Sequence, residues 1–280
     1  LGKYKEAIKY FNKVIKIEKK WKDPYNNKGN ALVSLRQYKK AIKCYDEAIN
    51  LDKKWKYPWF NNAQCYNQVG QYKKAIECYD EAIKIDKKYK LAFVYKGGIL
   101  ETKLGQHKKA KECYREALKI HPKNSDGWRL DGICHKRLGQ YSKAIKCYDK
   151  VIEMNPKQVE ARNSKALILS EKLHKHNTAI NIYKEILEIN PNRSESAMVL
   201  NNIGWAYHLQ KKYLQALPFY ARSIKQNKKN VNVWASKAVT LYKLKKYPEA
   251  LICCKKAVKL GTKDKEVLSC FEKIKTKLKP

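Results

Sequence analysis

The chain of 280 residues carries 62 Lys and Arg against 26 Asp and Glu, which gives a formal net charge of +36. A charge of this sign favours acidic partners such as nucleic acid, ribosomes or acidic membrane surfaces. No apolar run approaches the roughly 20 residues that cross a bilayer, so the sequence excludes membrane insertion through a helix of its own.

One short phrase returns eight times along the chain. It is plainest at residues 37–49 and 71–83, where Tyr-Lys-Lys-Ala-Ile is followed, after one residue, by Cys-Tyr-Asp-Glu-Ala-Ile. The spacing of its central alanine is 34, 34, 35, 34, 35, 37 and 34 residues, as read from Ala7, Ala41, Ala75, Ala110, Ala144, Ala179, Ala216 and Ala250. A fixed period in this range predicts a stack of similar supersecondary units.

Each period predicts two amphipathic helices. In the phrase itself a Tyr or His precedes the alanine by three residues, and an aromatic residue follows it by four everywhere except at Cys254. These spacings place the residues on one helix face. In an upstream segment a bulky residue stands four positions before a small one, at Tyr25, Trp59, Phe93, Trp128, Leu200 and Trp234 before Gly29, Ala63, Gly97, Gly132, Gly204 and Ala238.

The order of a bulky residue, Gly or Ala, Tyr, Ala, Tyr, Ala and Pro resembles the tetratricopeptide repeat. The resemblance covers nearly the whole chain and implies an all-α fold, a right-handed superhelical solenoid of antiparallel helix pairs with a C-terminal capping helix. It places the second helix of a truncated repeat at 1–21, seven full repeats at 22–55, 56–89, 90–124, 125–158, 159–193, 197–230 and 231–264, and the cap at 265–280. Within the cap, Val267, Phe271, Ile274 and Leu278 share one face.

Three departures from the repeat predict local irregularity. Arg162 stands at a bulky position, so we expect looser helix packing there. The segment Ser194-Glu195-Ser196 is surplus between two repeats, which predicts a slight break in pitch. Pro218 lies inside a second helix, where it removes a backbone hydrogen bond and is expected to bend the helix.

The cysteines predict a reducing compartment. Four of the nine, Cys44, Cys78, Cys113 and Cys147, occupy one repeat position, and equivalent residues on stacked helices are roughly 8–10 Å apart, beyond disulfide reach. An odd count without a C-x-x-C pair favours free thiols and a cytoplasmic location.

The sequence offers no constellation for catalysis, and we expect no enzyme activity, no cofactor and no metal. His174 and His176 lie close to Glu171, which raises the question of a metal site. Residues two apart on a helix do not share a face, so an exposed turn explains the pair better.

The resemblance implies that the first helix of each repeat lines a concave groove that binds extended peptides or helices. Some relatives present a ladder of asparagines to the ligand backbone. At the groove positions this chain has four basic residues (Arg129, Lys136, Arg137, Lys243) and five acidic ones (Asp23, Glu101, Asp126, Glu160, Glu171), so we expect a near-neutral groove. The candidate partner-binding residues are Asn26, Asn27, Asn30, Phe60, Asn61, Gln64, Asn67, Arg129, Asn163, Asn201, Asn202, Trp205 and His208.

Two alternatives to this interpretation stay open at the residue level. The abundance of Asn in the chain offers a purely compositional explanation of the partial ladder. Trp205 either faces the groove as an anchor for a ligand or packs against Tyr242 and fills space beside Leu200. A carboxylate clamp of the kind that holds chaperone C-termini is rejected, because Asn26, Leu91 and Tyr95 stand where the cations are expected.

The sequence therefore predicts a non-catalytic protein-interaction scaffold that binds another protein as a peptide or helix in its groove. The rivals are a nucleic-acid or ribonucleoprotein binder that works through lysines on the convex second helices, and the recognition arm of a larger enzyme. Only seven of the basic residues are Arg, the usual carrier of specific phosphate contacts. Because the chain starts at the turn between two helices of a repeat, we expect it to be part of a longer protein, and self-association through its open N-terminal end is a further possibility.

Overall fold

A computed structural model describes residues 2–189 and 193–277 of the chain, without the side chains of residues 193–195. Sixteen α-helices and no strands make up this described part. Their bounds are α1 Gly2–Ile17, α2 Lys22–Ser34, α3 Tyr38–Leu51, α4 Lys56–Gln68, α5 Tyr72–Ile85, α6 Lys90–Thr102, α7 His107–Lys119, α8 Ser125–Arg137, α9 Tyr141–Met154, α10 Val159–Glu171, α11 His176–Ile189, α12 Arg193–Leu209, α13 Tyr213–Gln226, α14 Val231–Lys243, α15 Tyr247–Lys259 and α16 Lys265–Lys277.

The helices form two compact units, an N-terminal unit of residues 1–140 and a C-terminal unit of residues 141–280. Within each unit every helix packs against the next one along the chain, as expected of antiparallel hairpins in series. We call α2, α4, α6, α8, α10, α12 and α14 the first helices and the odd-numbered helices the second helices. Adjacent first helices also contact each other in both units. The predicted fold class, an all-α solenoid of helix pairs, is confirmed.

Tyrosines inserted beside small residues hold the helix pairs together, except in α14 and α15, where Cys254 takes the place of the tyrosine. Tyr45, Tyr79, Tyr114, Tyr148, Tyr183 and Tyr220 are fully buried at one position of the second helices. A Cβ atom added to Gly97 would lie 2.7 Å from Cε1 of Tyr114, and one added to Gly204 would lie 2.6 Å from Cε1 of Tyr220. Glycine at these positions therefore allows the ring to rest directly on the backbone of the first helix.

Arg162, where the sequence predicts looser packing, makes a hydrogen bond of the kind that other bulky residues make at this position. In two other repeats the bulky side chain is a tryptophan that donates a hydrogen bond to the carbonyl oxygen six residues upstream: Trp59 Nε1 to Lys53 at 3.1 Å and Trp234 Nε1 to Lys228 at 2.9 Å. Arg162 Nη1 donates to the carbonyl of Pro156 in the same way. Its guanidinium thus replaces the indole N–H as an anchor, which the size of the side chain alone does not reveal.

A carboxylate on each of several second helices fixes the register with the next repeat. Asp46 Oδ1 accepts a hydrogen bond from Asn62 Nδ2 at 2.7 Å, and Asp149 Oδ1 pairs with Lys165 Nζ at 2.6 Å. Both contacts join the 25th position of one repeat to the seventh position of the following one. Such links select one stacking register because a shift along the helix leaves the carboxylate without its donor.

The region around residue 194 differs from the prediction. The three residues Ser194–Ser196 do not lie between repeats but inside α12, which begins at Arg193 and is 17 residues long. Helix α13 runs uninterrupted through Pro218. Its exposed position leaves room for the ring on the solvent side. Pro191, which the sequence places beyond α11, lies outside the described residues.

The C-terminal helix covers the last repeat, as expected of a cap. Val267, Cys270 and Ile274 of α16 are buried against the core of α14 and α15, and Phe271 packs at its edge. Leu278, the fourth predicted member of this face, lies outside the described residues. Cys270, three residues after Val267 and four before Ile274, lies on the same face by helical spacing and belongs to the buried stripe as well.

All nine cysteines lie within the described residues, form no disulfide and are buried as packing residues. Burial raises the pKa of the Cys65 thiol to about 12, so the protonated, unreactive form prevails near neutral pH. Among the described helices, none is long and apolar enough to span a bilayer.

Candidate functional site

In the described part of the chain, three cavities on the first-helix face gather predicted groove residues, two in the N-terminal unit and one in the C-terminal unit. The first, the Asn61 cavity, has a volume of about 420 Å³ and is lined by Asn30, Val33, Tyr38, Tyr45, Phe60, Asn61, Gln64, Cys65 and Gln68. Four of the predicted partner-binding residues therefore meet in one concavity: Asn30, Phe60, Asn61 and Gln64.

Asparagines of the predicted ladder lie on adjacent first helices, where their amides bond to one another. Asn61 Nδ2 donates to Asn26 Oδ1 at 3.1 Å and to Asn30 Oδ1 at 3.3 Å, across the boundary between two repeats. Tyr45 donates its hydroxyl to Asn30 Oδ1 at 2.8 Å. Asn26 is buried, and its Nδ2 lies 3.5 Å from Oδ1 of Asn27, which is exposed.

The same bridge recurs in the C-terminal unit, where Asn202 Nδ2 donates to Asn163 Oδ1 at 3.1 Å. Both bridges join the sixth position of a repeat to the fifth position of the preceding one. At that pair of positions Phe60 and Tyr95 instead make an edge-to-face contact with ring centroids 5.6 Å apart. The position thus couples neighbouring first helices, and a ligand that uses these amides has to share them with the bridge.

The second cavity of the N-terminal unit, the Arg129 cavity, is bordered by cations. Its volume is about 280 Å³, and Asn67, Tyr95, Lys103, Arg129 and Arg137 are among its lining residues. Arg137 Nη1 lies 3.3 Å from Glu101 Oε2, which also accepts a hydrogen bond from Tyr114 at 2.9 Å. Burial together with this carboxylate raises the pKa of Tyr114. The buried Oδ1 of Asn67 has no hydrogen-bond partner in the described part of the chain.

The Trp205 cavity of the C-terminal unit is lined by carboxylates rather than by cations. It has a volume of about 270 Å³, and its walls are Glu171, Asn201, Asn202, Trp205, Asn232, Ala235, Ser236, Val239, Asp264 and Glu266. Trp205 stacks on His208 with ring centroids 4.5 Å apart and an interplanar angle of 6°. The near-neutral balance of the groove positions therefore hides a separation of charge, with cations at the Arg129 cavity and carboxylates at the Trp205 cavity.

His208 is a buried support for the tryptophan. Its Nδ1 lies 2.8 Å from Thr240 Oγ1, and its ring also contacts Tyr213 at 5.1 Å between centroids. Burial, aided by the charge of Lys243, lowers the pKa of His208 from 6.5 to about 4. The imidazole is therefore neutral near pH 7, and it adds no positive charge beside the cavity.

This shift predicts a loss of stability in mild acid. Because the folded chain holds His208 neutral down to about pH 4 whereas the unfolded chain protonates it near 6.5, the unfolded state binds more protons between these values. The free energy of unfolding should therefore fall as the pH drops from about 7 to 4. Urea unfolding across this range should show a flatter dependence for His208→Asn. The control His107→Gln, at an exposed position, should keep the slope of the parent; an unchanged slope in His208→Asn would contradict the assignment.

Four predicted residues lie outside the three cavities. Asn26 and His208 are buried, Asn163 accepts the bridge from Asn202, and Asn27 is exposed beside Asn26. Phe60 borders the Asn61 cavity but is itself buried against Tyr79 and Tyr89. The sequence search missed Asp264 and Glu266, which precede and open the capping helix rather than a repeat. Glu171, which lines the same cavity, was identified from the sequence only as one of five acidic groove positions.

His174 and His176, which raised the question of a metal site, have structural roles at the turn between α10 and α11. His174 has a positive φ of 53° and occupies the turn between α10 and α11, where other repeats place Gly70 or Gly139. His176 Nδ1 lies 3.2 Å from Ser170 Oγ. Within the described residues, no group of three or more His, Cys, Asp or Glu side chains is arranged to hold a metal ion.

Comparison with known protein families agrees with this architecture. The tetratricopeptide repeat family matches residues 23–54, 57–89 and 125–158 through one description of the repeat, and 1–20 and 96–124 through another. Together these stretches cover more than half of the chain, which therefore belongs to the tetratricopeptide repeat family. Residues 172–257 match the family described as anaphase-promoting complex, cyclosome, subunit 3.

Solved structures show the same fold at low sequence identity. A tetratricopeptide repeat protein from Parabacteroides merdae ATCC 43184 is 16% identical, with a TM-score of 0.72, and the match covers 91% of this chain and 98% of that one. The APC/C hetero-tetramer Cut9-Hcn1 gives a TM-score of 0.68 at 16% identity, over 97% of this chain and 52% of that one. The chain thus spans about half the length of this relative. No curated protein matches the sequence.

Proposed function

We propose that the chain is a non-catalytic protein-interaction scaffold that binds another protein, as an extended peptide or a helix, along its first-helix face. The observation that carries the proposal is the clustering of polar and aromatic side chains from successive first helices around the Asn61, Arg129 and Trp205 cavities. Concave sites with a few convergent polar groups on an apolar floor are typical binding sites. The family match supports the same class of function, since stacked repeats expose long surfaces to polypeptides.

The relatives add support at the level of the class only. The Cut9-Hcn1 structure is a hetero-tetramer of the APC/C, so a protein of this fold takes part in a protein assembly. The cavities of this chain provide the local chemistry for such contacts, because buried aromatic and amide groups anchor peptide side chains and backbone.

Selection of random 12-residue peptides on the intact chain tests the proposal. We expect discrete peptides whose binding persists after nuclease treatment of the protein. These peptides should bind at least tenfold more weakly to the Trp205→Leu or Gln64→Ala variant. These two side chains line cavities without belonging to an inter-repeat bridge. The matched control is Ile252→Ala, which removes an exposed apolar side chain from the second helix α15. Peptides that lose affinity only with Ile252→Ala, or no selected peptide at all, would contradict the proposal.

The rival function, nucleic-acid binding through second-helix lysines, also has a structural basis. Pairs of lysines at 39–40, 73–74 and 108–109 are exposed at the start of successive second helices. Acidic side chains interleave with them, however: Lys73 and Lys109 surround a cavity that also contains Glu77, Glu112 and Glu116. Nucleic acid that is released steeply by salt and lost in Lys108→Glu would favour this rival, because phosphate contacts release counterions.

A further inference from the structure

We propose that the Trp205 cavity binds a cationic side chain, Arg or Lys, of the polypeptide ligand. The inference rests on the proposed function, and it names the chemical class of side chain that one part of the first-helix face recognises. Three independent features of the cavity carry it: its carboxylates, its aromatic wall and its buried amide oxygen.

The carboxylates come from two separate elements. Glu171 is the last residue of α10, whereas Asp264 and Glu266 lie at the start of α16. Asp264 Oδ1 accepts hydrogen bonds from the backbone N–H groups of Glu266 at 2.9 Å and Val267 at 3.4 Å, so it serves as the cap of α16. Glu171 and Glu266 form no ion pair among the described residues, and no Lys or Arg lines the cavity. The charge of these two groups is therefore available to a ligand.

The position of Glu171 strengthens the negative potential. The C-terminal end of a helix carries the negative end of the helix dipole and unsatisfied carbonyl groups, so a cation is favoured there. Glu171 occupies this end of α10. A guanidinium or ammonium group in the cavity thus contacts a carboxylate beside a helix terminus, and both are negative.

Trp205 supplies a surface that suits a flat cation. One side of its indole stacks on the neutral imidazole of His208, which fixes the ring orientation, and the side chain is only partly buried because it borders the cavity. Cations bind over the face of Trp more strongly than over Tyr or Phe. An Arg side chain also places its aliphatic stem against apolar walls such as Ala235 and Val239.

The buried oxygen of Asn201 points to a donor ligand. Its Oδ1 is buried and has no hydrogen-bond partner in the described part of the chain, and because the residue lines the cavity, a rotation of the amide presents this oxygen to a ligand there. A buried acceptor without a donor is costly, and the N–H groups of Arg or Lys are donors only. A neutral apolar ligand or an acidic one leaves this acceptor unpaired.

The net charge of +36 is carried outside the cavity lining, which contains no Lys or Arg. Charges farther away than the Debye length, about 8 Å at physiological ionic strength, are largely screened. Lys243 acts near the cavity, because its charge helps to lower the pKa of His208, but it does not line the cavity. The three carboxylates of the lining are therefore the charges that a bound side chain meets directly. This reversal of sign distinguishes the Trp205 cavity from the Arg129 cavity.

The test is a titration of the ¹⁵N-labelled full chain with N-acetyl-arginine methylamide, followed through the Trp205 indole N–H signal, which Trp205→Phe identifies. We expect saturable shifts with the Arg probe. The citrulline analogue, which keeps the shape without the charge, and the glutamate analogue, which inverts the charge, should bind at least tenfold more weakly. The double variant Glu171→Gln/Glu266→Gln should weaken the Arg probe at least about fivefold. The control Glu153→Gln/Glu188→Gln, which removes the same charge from second helices, should leave its affinity unchanged.

Equal binding of Arg and citrulline probes, or an unchanged affinity in Glu171→Gln/Glu266→Gln with unaltered folding, would overturn the inference. The result is separable from the proposed function. If selected peptides bind the first-helix face but tolerate replacement of every Arg and Lys by citrulline or norleucine, the inference fails while the scaffold function stands. If the Arg probe binds the Trp205 cavity but no peptide is selected, the cavity is selective for cations, but the scaffold function fails and the inference that the cation belongs to a polypeptide fails with it.

Discussion

Lys90→Met should destabilise the N-terminal unit by about 3–5 kcal/mol, the usual result of removing one partner of a buried ion pair. Lys90 Nζ lies 2.5 Å from Asp131 Oδ1, and both side chains are less than 10% exposed, at 8% and 7%. The variant leaves the carboxylate of Asp131 buried without its cation. Urea unfolding at pH 7 measures the loss.

The dependence on pH adds a second readout. Burial raises the pKa of Asp131, and Lys90 is the main group that opposes the rise. Removing Lys90 raises this pKa further, so Asp131 is protonated at higher pH and the unpaired charge disappears in mild acid. The deficit of Lys90→Met should therefore be smaller at pH 4.5 than at pH 7. The control is Lys90→Met/Asp131→Leu, which removes both charges and should recover most of the stability; a double variant as unstable as the single one would contradict the account.

Gly97→Ala should be less stable than Gly98→Ala by about 1–3 kcal/mol, although the two glycines are neighbours in α6. A Cβ atom at Gly97 would lie 2.7 Å from Cε1 of Tyr114, whose ring is buried and whose hydroxyl is bonded to Glu101. At Gly98 the same atom meets nothing within 4 Å. Both variants gain the same helix propensity, so their difference reports the clash alone.

Thermal and urea unfolding of the two variants measure this difference. Gly98→Ala is the matched control and should be slightly more stable than the parent chain, because alanine is the better helix former. Equal stability of the two variants would mean that the Tyr114 ring moves freely away from α6. Such a result would contradict the direct packing of tyrosines on first helices.

The periodic sequence predicts the helices because each one satisfies the same local rules. Repeat boundaries at 22, 56, 90, 125, 159 and 231 coincide with the first residues of α2, α4, α6, α8, α10 and α14. The prediction was wrong at residues 194–196, where the spacing of the phrase shows three additional residues but does not reveal that they lengthen α12 rather than the loop.

The ion pairs formed by the lysines that open the repeats were not predictable from the period. Lys22 and Lys56 open their repeats and pair at 2.5 Å with Asp52 and Asp86, which follow the second helix of the same repeat. In the repeat from Lys90 the residue at this position, eleven residues after the central alanine, is His121, and the lysine pairs instead with Asp131 of the next repeat. Loss of the carboxylate at this position thus accompanies a buried ion pair to another repeat, which sequence spacing does not show.

The candidate site was predicted only in outline. The sequence identified Asn201, Asn202 and Trp205 as groove residues, and all three line one cavity. The negative charge of this cavity was not predicted, because Asp264 and Glu266 belong to the capping helix. The repeat pattern does not predict which side chains of that helix face the groove. The bonding of Asn61 to Asn26 and of Asn202 to Asn163 was likewise hidden, since an amide that faces a ligand and one that faces the adjacent repeat occupy the same position.

The most direct test of the central claim, that the first-helix face binds polypeptide, is hydrogen–deuterium exchange of the full chain with and without a selected peptide. The account predicts that the peptide protects backbone amides of first helices at the cavities, in α4, α6 and α8 or in α12 and α14, and leaves α5, α7 and α15 unchanged. Protection confined to the second helices, with no change in the first helices, would contradict it.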